Sequence, residues 1–373
     1  MKLVSENRSK LTNIKLQRIG GGIYVQDGVA LLLCQDSIPE PLRSGFWSEV
    51  NIYSFFHHPL PQAGIDALLN VGRAHEMAAL VSSRDSVLPN DQAVAVAKSY
   101  VDHLSRAFSQ GRRQGALGMH NFWEMLGVLE EQNLMSLDDI AKLEFPFAKT
   151  FRFNGPGRPL AIHRVLASQP DQVLELGKVG FISDTAIATL EDDKLTQSAD
   201  NEIKDGEETV SAANRETIYH VLDTFDVIPG RDGSFIDENV LSKWIEEVRD
   251  LFADAGYVQA YSAFVGGLLA LSPVDPEDNI WPHKVVRNII EKYADEKMVS
   301  ALITAEFNER DIIMGSMEEY YRKSSDKFLR WSRALDGKPK TQEMLNQIAS
   351  GDIEHAEWDR QRRIDAAVAS GLR

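Results

Sequence analysis

Between Arg215 and Ile348 the chain repeats one pattern: apolar residues every three or four positions, separated by charged ones. Ile218, Val221, Leu222 and Phe225 form a first stripe, Leu241, Trp244, Ile245, Val248 and Phe252 a second, and Val286, Ile289, Ile290 and Tyr293 a third. Such spacing places each set on one side of a 3.6-residue helix, and that side must be buried against a neighbour. The same pattern predicts helices earlier in the chain. They resume near Ala63, include a stripe of Ala97, Tyr100, Val101, Leu104 and Phe108 closed by Gly111, and continue with Phe122, Met125, Leu126 and Leu129. Ser136 with Asp139 fits a helix start, the hydroxyl and carboxylate serving free amides. Two short helices follow, over 160–167 and 170–179.

Strand signal is confined to the N-terminal stretch. In Gly20–Cys34, Asp27-Gly28 separates two apolar runs, as in a hairpin turn, with Asn13–Ile19 available as a third strand and Gly20 to Gly22 as a bend or bulge between them. From Ser37 to Pro61, four prolines interrupt an aromatic-rich connector and exclude a long helix. The expected fold is therefore mainly α: an irregular, repeat-like helical array with a small N-terminal antiparallel β element and no fixed repeat period. The segment Glu191–Asn214 breaks the pattern with eight acidic residues, two lysines and only isolated apolar positions. Such a composition cannot offset its own ordering entropy, so a flexible acidic loop or linker is expected there. The resulting division is a β element and connector over 1–61, a helical domain over 62–190, the linker over 191–214 and a second helical domain over 215–373.

Composition narrows the function classes. The 373 residues are 43% hydrophobic and 26% charged, an ordinary globular balance. No apolar run approaches the ~20 residues that span a bilayer, and the N-terminus has no apolar leader core. A lone cysteine, Cys34, excludes an intramolecular disulfide, and these features together point to the cytoplasm without membrane association. The net charge of −16 opposes nucleic-acid binding as the main role, although Arg322, Lys323, Lys327, Arg330 and Arg333 form a basic stretch within 322–340.

Catalytic motifs are missing from the sequence: there is no serine elbow, phosphate loop, dinucleotide fingerprint or HExxH pair. Asp232 to Asp237 superficially resembles a calcium loop. Setting Gly233 at the invariant glycine, however, puts Ile228, Gly230 and Asn239 at ligand positions, so a turn leading into a helix capped by Asp237 is the better reading. Neither a metal nor a cofactor is implied. Trp281-Pro-His-Lys-Val-Val-Arg287 is the most distinctive string. Its residues either anchor a helix start or build a peptide-binding notch from Trp281, His283 and Arg287.

From Phe122 onward the chain resembles the helical C-terminal region of large uncharacterised bacterial proteins, some of them defence-associated. The resemblance rests on Phe122-Trp-Glu, Leu143-Glu, His163-Arg, Ala167 to Pro170, Ile228-Pro-Gly230, Ile236-Asp237, Trp281-Pro-His283, Val286-Arg287, Asn308 with Arg310, and Tyr321 to Trp331. It departs at Asp311, where a glycine would be expected, and in the N-terminal third. The resemblance transfers no activity; it implies a sensing or docking part of a multidomain system. Trp281, His283, Arg287, Asn308 and Arg310 are accordingly the candidate binding residues. The leading expectation is a non-enzymatic scaffold or sensor that holds protein partners, its oligomeric state left open. Two alternatives stand beside it: an enzyme with a dispersed site near His57, His58 and His120, and a nucleic-acid-binding module through the 322–340 stretch.

Overall fold

In a computed structural model the described residues are 17–19, 22–24, 40–49, 62–83, 90–109, 116–149, 159–187, 212–308, 310 and 316–369. Over these the protein is mainly α. The chain divides into two compact units, Met1–Ile162 and His163–Arg373.

The first unit begins with β1 (Gln17–Ile19) paired antiparallel to β2 (Gly22–Tyr24), Ile19 opposite Gly22. The observed pairing thus joins the expected third strand to the segment starting at Gly22, while the hairpin expected at Asp27-Gly28 lies outside the described residues. Helices α1 (Glu40–Glu49), α2 (Gln62–Asn70), α3 (Ala74–Ser82), α4 (Asn90–Ser109), α5 (Ala116–Glu131) and α6 (Leu137–Glu144) follow. A short helix was not foreseen in the proline-rich connector. Pro41 is tolerated in α1 because it sits in the first turn, where an amide has no helical partner to lose.

Within this unit α3 packs on α4 and α5, α2 on α3 and α4, and α1 on α2. Trp47, Ile65, Leu68, Met77 and Val96 are buried, together with Tyr100, Phe122, Trp123 and Leu126. Phe122 stands at the centre, stacked on Tyr100 at 5.6 Å and edge-on to Phe147 at 5.3 Å. Ser136 caps α6 as the sequence suggests, its Oγ accepting from the Asp139 amide at 3.1 Å and donating to the Asp139 carboxylate at 2.8 Å.

Helix α7 (Ala161–Ser168) contains the boundary between units. The second unit continues with α8 (Pro170–Gly180), α9 (Ala212–Asp223), the hairpin β3 (Arg231–Asp232) and β4 (Phe235–Ile236), α10 (Glu238–Asp254), α11 (Val258–Ala270), α12 (Lys284–Tyr293), α13 (Glu296–Asn308), α14 (Met317–Ala334) and α15 (Pro339–Ala369). Helix α8 packs on both α9 and α10. The helices flanking the acidic stretch therefore belong to one unit, and the compact units divide earlier than a boundary at 191–214 would place them; residues 188–211 lie outside the described set.

The stripes read from the sequence form this unit's core. Trp244 is central: its ring stacks on Phe225 at 6.2 Å, and its indole N–H donates to the Leu166 carbonyl at 3.0 Å. Phe264 completes the stack on Phe225 at 5.4 Å. The Asp232-Gly233 turn and the cap are also as expected, with Gly230 and Gly233 at positive φ and Asp237 Oδ1 accepting from the Asn239 and Val240 amides. Helices α11 and α13 cross closely at Gly266, where an added Cβ would stand 2.4 Å from the Met298 carbonyl oxygen.

Two substitutions test this core by thermal or denaturant unfolding. Trp244→Ala removes the ring, the hydrogen bond and the stack on Phe225, and is expected to destabilise the protein by about 3–5 kcal/mol. Gly266→Ala drives a methyl group into backbone that cannot swing aside, with an expected loss of about 1–3 kcal/mol. An unchanged transition in either variant would contradict the packing described.

Candidate functional site

Two clusters of polar side chains in the second unit contain the candidate binding residues. The first lies in the loop 271–283 and the start of α12. Asp275 is fully buried. Its Oδ1 accepts from the Glu277 amide at 2.8 Å, and its Oδ2 accepts from the Lys284 amide at 2.8 Å and from Arg287 at 3.3 Å. Arg287 also pairs with Asp278 at 2.6 Å, and Asp278 accepts from the Ile280 amide at 2.9 Å. An ionised carboxylate without water is tolerable only when its lone pairs are occupied, and here the loop's own amides occupy them. Burial by itself would push Asp275 upward, but the two amides and the neighbouring Arg287 and His283 overcome it, holding the carboxyl below its ordinary range.

Trp281 and His283 complete this loop. The Trp281–Pro282 peptide is cis; the indole N–H donates to the Ser272 carbonyl at 2.9 Å, and the ring meets Phe328 edge-on at 5.9 Å. His283 caps α12. Its amide donates to Ser272 Oγ at 2.9 Å, and its Nδ1 accepts from the Val285 amide at 3.2 Å. That role requires a ring with an unprotonated Nδ1. Burial, aided by Lys284 and Arg287 and opposed by Asp275, lowers the His283 pKa from its usual value.

The structure thus brings Trp281, His283 and Arg287 together, but inside the unit. They are 6%, 3% and 3% exposed, so as placed they offer a visiting peptide no notch. The anchoring reading describes them.

The second cluster joins α13, α14 and α15. Arg310 pairs with Glu306 at 2.6 Å and with the fully buried Asp352, and its guanidinium lies over the Phe307 ring at 4.0 Å. Burial raises Glu306 above the ordinary carboxylate range, against the pull of Arg310. Lys327, its Nζ 4.7 Å from the centre of the Trp331 ring, is lowered by desolvation. Phe328 stands between the two clusters, touching Trp281 and lying 5.7 Å from the Arg310 guanidinium. Asn308, at the end of α13, is exposed.

A raised carboxyl beside a lowered amine is a pattern shared with catalytic sites. Here Glu306 is held by Arg310, which also pairs with Asp352 of α15, and Asp352 has no exposure through which to meet a substrate. Among the described residues no group of three or more His, Cys, Asp and Glu side chains could hold a metal ion. His57 and His58 lie outside the described residues, and His120 is exposed on α5. In the basic stretch, Arg322 pairs with Glu318 and Lys323 with Glu319, while Lys338 and Lys340 donate to Asn288 and to the Ala294 carbonyl. Two of these cations, Arg322 and Lys323, are thus matched by carboxylates within the unit. No described helix is long and apolar enough to cross a membrane.

Sequence reasoning identified the basic members of these clusters but missed their acidic partners. Glu306 was legible as an i, i+4 neighbour of Arg310. Asp352 had no signal: 42 residues separate it from Arg310, and only the packing of α13 on α15 brings it near. No protein-family model, curated protein or solved structure matches the chain.

The lowered His283 pKa sets a pH dependence. As pH falls past about 6.5 the unfolded chain takes up a proton that the folded ring resists, so the contribution of this cap is full above that pH and is lost as pH drops through the folded value. The melting temperature should therefore fall on acidification from pH 7.5 to 5.5. His283→Asn, which keeps a capping acceptor and cannot titrate, should narrow that difference. Equal pH dependence in the two proteins would exclude His283 as its source.

Proposed function

We propose that the chain is a non-enzymatic protein-interaction module, a scaffold or sensor within a bacterial multiprotein system of the defence-associated kind that its sequence resembles. The observation that carries this reading is a contrast within the second unit. Its buried charged side chains Asp275, Arg287 and Asp352 are engaged in ion pairs within the unit, whereas large apolar side chains stand in solvent: Phe235 is 62% exposed and Trp358 58%.

Exposed aromatic residues are the usual anchors of protein interfaces. Trp358 has the form of one, lying on α15 with the Arg362 guanidinium 5.1 Å from its ring centre. Neighbouring Ile364 and Val368 are exposed as well.

The reading is tested by affinity purification from native cells at physiological salt. A stoichiometric partner is expected, and Trp358→Ser, which leaves the core untouched, should weaken its binding by about thirtyfold while preserving the melting temperature. Recovery of the wild-type chain as a lone monomer would sink the proposal.

A further inference from the structure

Lys327 differs from the lysines around it in what meets its ammonium group. Lys323 pairs with Glu319, Lys284 with Glu277 and Lys292 with Glu246, while Lys338 and Lys340 donate to Asn288 and to the Ala294 carbonyl. Among the described residues the Lys327 ammonium has neither a hydrogen bond nor an ion pair; rings lie beside it instead. Its Nζ is 4.7 Å from the centre of Trp331 and 5.0 Å from that of Phe328. The Phe328 ring also faces the Arg310 guanidinium at 5.7 Å, so two cations draw on one ring. Lys327 is nevertheless exposed on α14, within reach of a reagent in solution.

An ammonium is strongly hydrated, and ring faces replace its water only in part. A lysine stripped of water beside a second cation is the setting in which a neutral, nucleophilic amine is reached. Loss of water and the Arg310 charge lower the Lys327 pKa, against the pull of Glu306 and Asp352. The fold also tolerates neutralisation here. Acylating Lys284, Lys292 or Lys323 would deprive Glu277, Glu246 or Glu319 of its lysine partner, whereas at Lys327 no ion pair is broken.

We propose that Lys327 is a modification site that accepts an acyl group from an acyl thioester. The amine nitrogen bonds to the thioester carbonyl carbon, the carbon–sulfur bond breaks, the thiolate departs and a nitrogen proton passes to solvent. The product is an uncharged amide. The site is independent of the interaction surface proposed above.

Incubating the full chain with acetyl-coenzyme A at pH 8.0 tests it, with acetylation of each lysine followed over time by peptide mass spectrometry. Lys98 is the internal reference, being likewise exposed but with no ring beside its ammonium. Lys327 is expected to react at least about fivefold faster than Lys98 in the folded protein, because only Lys327 is desolvated beside a second cation. In urea, with the fold gone, the two rates should converge. Equal rates in the folded chain would overturn the site, as would Lys323 reacting ahead of Lys327. An advantage that persists in urea would overturn it too, since it would belong to the local sequence and not to the packing around Phe328 and Arg310.

Discussion

Asp275 and Asp352 have no contact with solvent, and the C-terminal half of the second unit is arranged around keeping their charge compensated. An ionised carboxylate taken out of water is costly unless donors surround it. Asp275 meets that condition with two backbone amides and Arg287, which fixes both the path of the loop 271–283 and the first turn of α12. Asp352 is compensated at Oδ1 by Arg310, which Glu306 also holds, while its Oδ2 is buried without a hydrogen-bond partner, so parting α13 from α15 would leave this charge unmatched. Phe328 of α14 lies against both arrangements and joins them through its ring.

This constraint bears directly on function. Residues that look like ligand contacts in the sequence, a tryptophan, a histidine and two arginines, are committed to the fold's own hydrogen bonds. Side chains so committed cannot bind a visiting molecule without dismantling the elements they hold. On the surface, aromatic and aliphatic groups on the β3–β4 hairpin and on α15 stand exposed.

Legibility varied with the range of the interaction. Helix positions, stripes and caps depend on residues three or four apart, and Ser136, Asp237 and the Trp244 stripe are where the pattern put them. The connector was harder. Prolines signal a break, yet Pro41 in a first turn breaks nothing, and that distinction depends on where the helix begins. Composition and compactness divide the chain at different places. A change from apolar to acidic residues marks a segment with little to bury, but it does not reveal whether the helices on either side pack on each other, as α8 and α9 do.

From the sequence alone came the mainly α class, the order of most helices, their buried faces and the weakness of any catalytic signal, because each depends on local periodicity or on residue types at short spacing. The tertiary structure decided which polar residues face inward and with whom. It paired Arg310 with Asp352 and set Trp281, His283 and Arg287 inside the unit instead of on its surface. Charge compensation in a dry interior requires partners that meet only once distant helices have packed, and no spacing rule along the chain encodes that meeting.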